Sequence, residues 1–96
     1  MTYSDPRQRD QFIAGLLDLA VFLEADPDVP APLYTDVLVF PSGGTDAERR
    51  AEIDAIAARI GTGAQTVCGH YIASRRFGPV EYRAVVIPHD NDPERA

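Results

Sequence analysis

Apolar positions along the chain recur with three different periods. Between Phe12 and Leu23 they fall at Phe12, Leu16, Leu19 and Leu23, with Ile13 and Ala20 alongside, the i, i+4, i+7 spacing of one helix face. Ser4-Asp5-Pro6 offers a capping oxygen and a proline whose missing N–H costs nothing in a first turn, so a helix is expected from there to about Ala25. Asp26-Pro27 stops it, because a residue before proline is pushed out of the helical region. Leu17, Val21 and Phe22 widen the apolar stripe beyond what one sheet face covers. Such a surface calls for a second cover, either the following connector or another copy of the chain. That connector, Asp26 to Leu33, has prolines at 27, 30 and 32 and reads as extended and stiff.

The second pattern is an unbroken run, Val37-Leu38-Val39-Phe40, within Thr35 to Phe40, the mark of a strand buried on both faces or nearly so. Pro41-Ser42-Gly43-Gly44 ends it. Thr45 and Glu48 then have the spacing of a capping box, opening a helix whose stripe is Ile53, Ile56, Ala57 and Ile60 and which Gly61 closes. Asp46 with Arg50, and Arg50 with Asp54, lie four apart on its outer face and read as solvated ion pairs of small energy.

The third pattern is alternation. Thr66 to Pro88 reads as two strands joined at Arg76-Phe77-Gly78-Pro79. In the second of them Val80, Tyr82, Ala84 and Val86 alternate with Glu81, Arg83, Val85 and Ile87, as in a half-buried strand. The element order is helix, strand, helix, strand, strand, an α+β two-layer fold. A right-handed crossover makes the first two strands parallel, and the tight connection makes the third antiparallel to the second. The second strand carries Gly69, His70, Ser74, Arg75 and Arg76 and suits an edge. A three-stranded mixed sheet in the order 2-3-1, with both helices on one face, is therefore expected.

Composition narrows the class. The 96 residues make one domain, with a globular part over residues 4 to 88 and a polar tail over 89 to 96. Apolar residues at 45% and charged residues at 25% are ordinary globular values. A net charge of -6 weighs against general nucleic-acid binding, which comes from cations neutralising phosphates. All nine basic residues are arginines, a genomic bias rather than a functional sign. Cys68 is alone, so no intrachain disulfide forms and nothing points to an oxidising compartment. No apolar run approaches the roughly 20 residues of a membrane span, and the N-terminus lacks a signal-peptide pattern. A cytoplasmic protein without membrane contact is expected.

The run FLEADPDVPAP after the first helix, and HYIASRRFGPVEYRAVVIP at the end, resemble a group of short uncharacterised proteins from actinobacteria and their phages. In these a Leu-Glu-Ala-x-Pro-x-x-Pro-x-Pro motif precedes one strand, one helix and a hairpin turning at Phe-Gly. The resemblance covers residues 12 to 88 and is carried by those two motifs. It implies a link to mobile elements and brings no activity, cofactor or catalytic residue; the C-terminal end here is shorter than in the longer phage members.

Several residues invite chemistry. The PSGGT junction before the second helix has the backbone of an anion site. It lacks the Gly-Lys-Ser/Thr ending of a Walker loop and the GxGxxG of a dinucleotide fold, and Asp46 and Glu48 place negative charge there. Cys68 and His70 would share a strand face roughly 7 Å apart, too far for direct proton transfer, with no third residue to orient a base. Cys68, His70, His89, Asp90 and Asp92 show neither zinc spacing nor a calcium loop, so no metal and no cofactor are expected.

The sheet itself offers more. With Val67, Tyr71, Ala73, Val80, Tyr82, Ala84 and Val86 in the core, the opposite face shows Cys68, His70, Ile72 and Arg76 beside Glu81, Arg83, Val85 and Ile87. Arginine among aliphatics is typical of recognition surfaces, and Arg75, Arg76 and Phe77 extend the patch to the hairpin tip. The plain alternative is an Arg76–Glu81 pair across the hairpin, with a second copy covering the aliphatics. A small non-enzymatic binding or adaptor protein is expected, meeting a protein partner or itself through His70, Ile72, Arg75, Arg76, Phe77 and Arg83. The alternative is nucleic-acid or nucleotide binding through Arg75, Arg76, Phe77 and Arg83, where an aromatic beside cations stacks a base. An enzyme using Cys68 and His70 ranks last.

Overall fold

A computed structural model of the protein describes residues 5–87. The chain divides into two units, with the boundary between Leu33 and Tyr34. The first unit holds helix α1, Pro6–Ala25. Asp5 caps it, accepting a hydrogen bond from the Gln8 backbone N–H, and Pro6 opens its first turn. No side chain of α1 is buried, so the expected stripe of Phe12, Leu16, Leu19 and Leu23 is formed but stands exposed or half exposed. The connector is not simply extended. The Asp28 N–H donates to Asp26 Oδ1 and the Val29 N–H to the Asp26 carbonyl, a turn built on an aspartate side chain as such loops often are.

The second unit contains β1 (Thr35–Val39), α2 (Asp46–Ile60), β2 (Gln65–Val67), β3 (His70–Phe77) and β4 (Val80–Val86). The class is α+β, but the sheet has four strands, in the order β1-β4-β3-β2. The expected order survives as β3-β4-β1, with the last strand central. The extra strand arises because Cys68 and Gly69 have φ of 51° and 82°, the left-handed pair that a two-residue type I′ hairpin needs. The single strand expected through this region therefore folds back on itself, Gln65–Val67 pairing antiparallel with His70–Ile72.

That reversal also corrects the strand directions. The crossover through α2 leads to β2, and β3 then runs the other way. As a result β4 is parallel to β1, with Thr35 opposite Val80 and Val39 opposite Ala84, where the expected scheme made these two strands antiparallel. The β3–β4 hairpin turns on Gly78-Pro79, Phe77 facing Val80. Gly78 at φ 62° supplies the first central position of a type II′ turn, and proline fits the second.

α2 starts with the expected capping box. Thr45 Oγ1 accepts from the Glu48 N–H, and Glu48 Oε1 accepts from the Thr45 N–H. Gly61 ends the helix in the left-handed region. Ile53, Ile56 and Ala57 pack on Ala73, Ala84 and Val86, with Val39, Tyr71 and Tyr82 at the border of this core. The helix-facing alanines let α2 lie close to the sheet. Two further contacts hold it there. The Tyr71 hydroxyl donates to Asp54 Oδ1 at 2.5 Å, and the Arg50 guanidinium stacks 4.7 Å over the Tyr71 ring. Asp46 pairs with Arg49. The Asp46–Arg50 and Arg50–Asp54 pairs read from the spacing thus give way to partners that tie the helix to β3 and to its own first turn.

Candidate interaction face

Cross-strand partners share a face, so register decides what the side opposite α2 presents. Tyr71, Ala73, Tyr82, Ala84 and Val86 belong to the α2 side. On the other side stand His70, Ile72, Ser74 and Arg76 from β3 and Glu81, Arg83 and Val85 from β4, continued by Ile87. Asp36 and Leu38 of β1 lie beside Glu81 and Arg83. A strand buried on both faces or nearly so, as the unbroken run Val37–Phe40 predicts, would add nothing to this surface. A central β4 with β1 at its edge leaves one side of β1 on this surface, and the sheet order read from the polarity of β3 already carried that signal. Leu38 is 50% exposed, Phe40 just past β1 53% and Ile87 48%, whereas Val85 between them is only 7% exposed.

Two residues leave the expected face. Cys68 sits in the turn, exposed, so it shares no strand with His70 and the roughly 7 Å same-face spacing expected from a continuous strand does not arise. Val67 pairs with His70 and is 43% exposed; the added turn inverts its parity and takes it out of the core. Arg75 and Phe77 point to the opposite side from Arg76 and Arg83, since they face Tyr82 and Val80. The Arg75 guanidinium lies 4.9 Å over the Phe77 ring. Of the six residues singled out, His70, Ile72, Arg76 and Arg83 are therefore brought together on one face, and Arg75 and Phe77 stand on the other.

Near the hairpin tip the face becomes polar. Glu81, mostly covered, takes the Arg83 Nη2 at 3.3 Å and the Arg76 Nη1 at 3.7 Å on one carboxylate oxygen, the cross-hairpin pair expected for Arg76. A hydrogen bond from Ser74, then the charges of Arg83 and Arg76, hold the Glu81 carboxyl below its ordinary value of 4.5, with partial desolvation opposing them. Arg76, Glu81 and Arg83, with Tyr34, Asp36 and Pro79, border an open recess of about 330 Å³. Two of the bordering residues are joined through the backbone, the Thr35 N–H donating to the Pro79 carbonyl at 3.0 Å. Arg83 Nε is buried and has no hydrogen-bond partner among the described residues.

Elsewhere the chain fills its own sites. At the PSGGT junction the Ser42 N–H donates to Glu52, the Thr45 N–H to Glu48, and Arg49 Nη1 to the Gly44 carbonyl. Carboxylates of the chain thus occupy the place an anion would take. Among the described residues no group of His, Cys, Asp and Glu is arranged to hold a metal ion; His89, Asp90 and Asp92 lie outside them. No described helix is long and apolar enough to cross a membrane. No family model, no curated protein and no solved structure matches the chain.

Proposed function

We propose that the protein is a small non-enzymatic binding or adaptor protein that docks a protein partner on the sheet face opposite α2. The observation that carries this reading is the half exposure of Leu38, Phe40 and Ile87 around a buried Val85. An apolar centre with an ion-paired rim of Arg76, Glu81 and Arg83 has the layout of a protein interface, in which apolar anchors lie inside a polar margin. The recess at the tip adds a place for a polar side chain of the partner between fixed charges of both signs.

Full-length tagged protein is retained with its partner from a lysate of the source organism, and two variants test the face. Leu38→Glu/Ile87→Glu removes the apolar centre, and Arg76→Glu/Arg83→Glu reverses the rim. Both are expected to release the partner with the circular dichroism of the fold retained. Leu38→Glu/Ile87→Glu should melt close to wild type, because neither side chain belongs to the α2 core, whereas Arg76→Glu/Arg83→Glu should melt lower, because Glu81 loses both of its cations. A partner held equally well by both folded variants, or none recovered by wild type, overturns the reading.

A further inference from the structure

We propose that α1 is a self-association element, pairing antiparallel with α1 of a second copy about a two-fold axis between Leu16 and Leu19. The inference concerns the first unit alone and is independent of the sheet-face reading. α1 has 20 residues, about 30 Å of helix, and buries none of them. Its apolar spine, Phe12, Leu16, Leu19 and Leu23, is spaced 4, 3 and 4 apart, the repeat of a helix-pairing seam. An apolar stripe of this size seldom stays open on a soluble monomer.

What selects a second copy, and its direction, is charge. A two-fold axis between Leu16 and Leu19 sets Leu16 against Leu19 and Phe12 against Leu23 of the other helix. The same operation carries the seam outward to Arg9 against Asp26, the residue that caps the helix. A parallel pair would oppose Arg9 to Arg9 and Asp26 to Asp26. Neither Arg7 nor Arg9 is ion-paired with an acid among the described residues.

Within the helix the charge order opposes the dipole. The first turn has no acidic residue and the last no basic one, while Arg7 and Arg9 sit near the start and Glu24, Asp26 and Asp28 at and beyond the end. Apart from the Asp5 cap, this is the reverse of what the macrodipole favours. An antiparallel neighbour turns that placement into attraction at both ends. The seam is short, so pairing should be concentration-dependent.

Sedimentation equilibrium of the full chain, from low to high micromolar at low salt, is expected to show monomer passing to dimer. Leu16→Glu/Leu19→Glu should hold the chain monomeric throughout. Arg9→Glu alone and Asp26→Arg alone should each weaken dimerisation by about tenfold, and the two together in one chain should restore it, since each end then regains an opposite pair. Helix content by circular dichroism accompanies each variant, and the rescue distinguishes lost pairing from lost folding. A wild-type monomer at every concentration overturns the proposal. So does a dimer indifferent to Leu16→Glu/Leu19→Glu, or a double charge variant no better than either single one. The partner-release variants of the sheet face should leave this dimer intact, so the two readings fail separately.

Discussion

At the scale of single residues, Glu81 is a carboxylate whose titration is set by three neighbours. Its carboxyl is held low by Ser74 and then by Arg83 and Arg76. A depressed folded value means the contribution is complete above the ordinary 4.5 and is lost as pH falls through the lower folded value. Glu81→Gln should therefore be less stable than wild type near neutrality and converge on it in acid; parallel melting curves across pH for the two proteins would refute the assignment. Tyr71 shows the opposite sign. Its hydrogen bond to Asp54, with some desolvation, raises the phenol above its ordinary 10.0, so its contribution is full below that value and fades in alkali. Cys68 is a different case, a non-glycine residue in the left-handed region at φ 51°. Asn-Gly is the preferred pair for such a turn, so Cys68→Asn should raise stability on the order of 0.5 kcal/mol. A lower denaturation midpoint would show that the turn is not what limits this residue.

At the scale of elements, what could be read from the sequence was what depends on near neighbours. The Thr45–Glu48 box, the Gly61 stop, the Asp5-Pro6 start and the Phe77-Gly78-Pro79 turn all involve residues within a few positions, and each stands as expected. The alternation in β4 placed Tyr82 and Ala84 on the helix side and Arg83 opposite. The second hairpin was lost because its turn uses Cys68, a residue with no turn preference, and Gly69 alone is a weak signal within a strand. One unseen turn then changed the strand count, the direction of β4 relative to β1 and the face of Val67, because side chains alternate with period two. The partners of Arg50 and Asp54 were illegible for another reason: Tyr71 is brought to them only by tertiary packing. The capping box itself is testable from two sides. Thr45→Ala should cost about 1 kcal/mol. Gly44→Ala should cost at least as much, because φ at Gly44 is 94° and an added Cβ would collide with the Glu48 carboxylate that completes the box.

At the scale of the whole molecule, the decisive fact is where the core lies. Ile53, Ile56, Ala57, Ala73, Ala84 and Val86, and the residues packed around them, all fall between Val39 and Val86, while α1 buries nothing. Stability should follow the second unit. Its core contacts, its caps and its two hairpins require no residue before Tyr34. A chain of residues 34–96 should accordingly keep a cooperative thermal transition and the β-rich circular dichroism of the sheet, even though a domain of this size has only a marginal core. Ile53→Ala in that shortened chain should cost about 2 to 5 kcal/mol, enough to unfold most of it, while Leu16→Glu in the full chain should leave the transition of the second unit in place. An unfolded 34–96 chain would show that the second unit does not hold its core without residues 1–33.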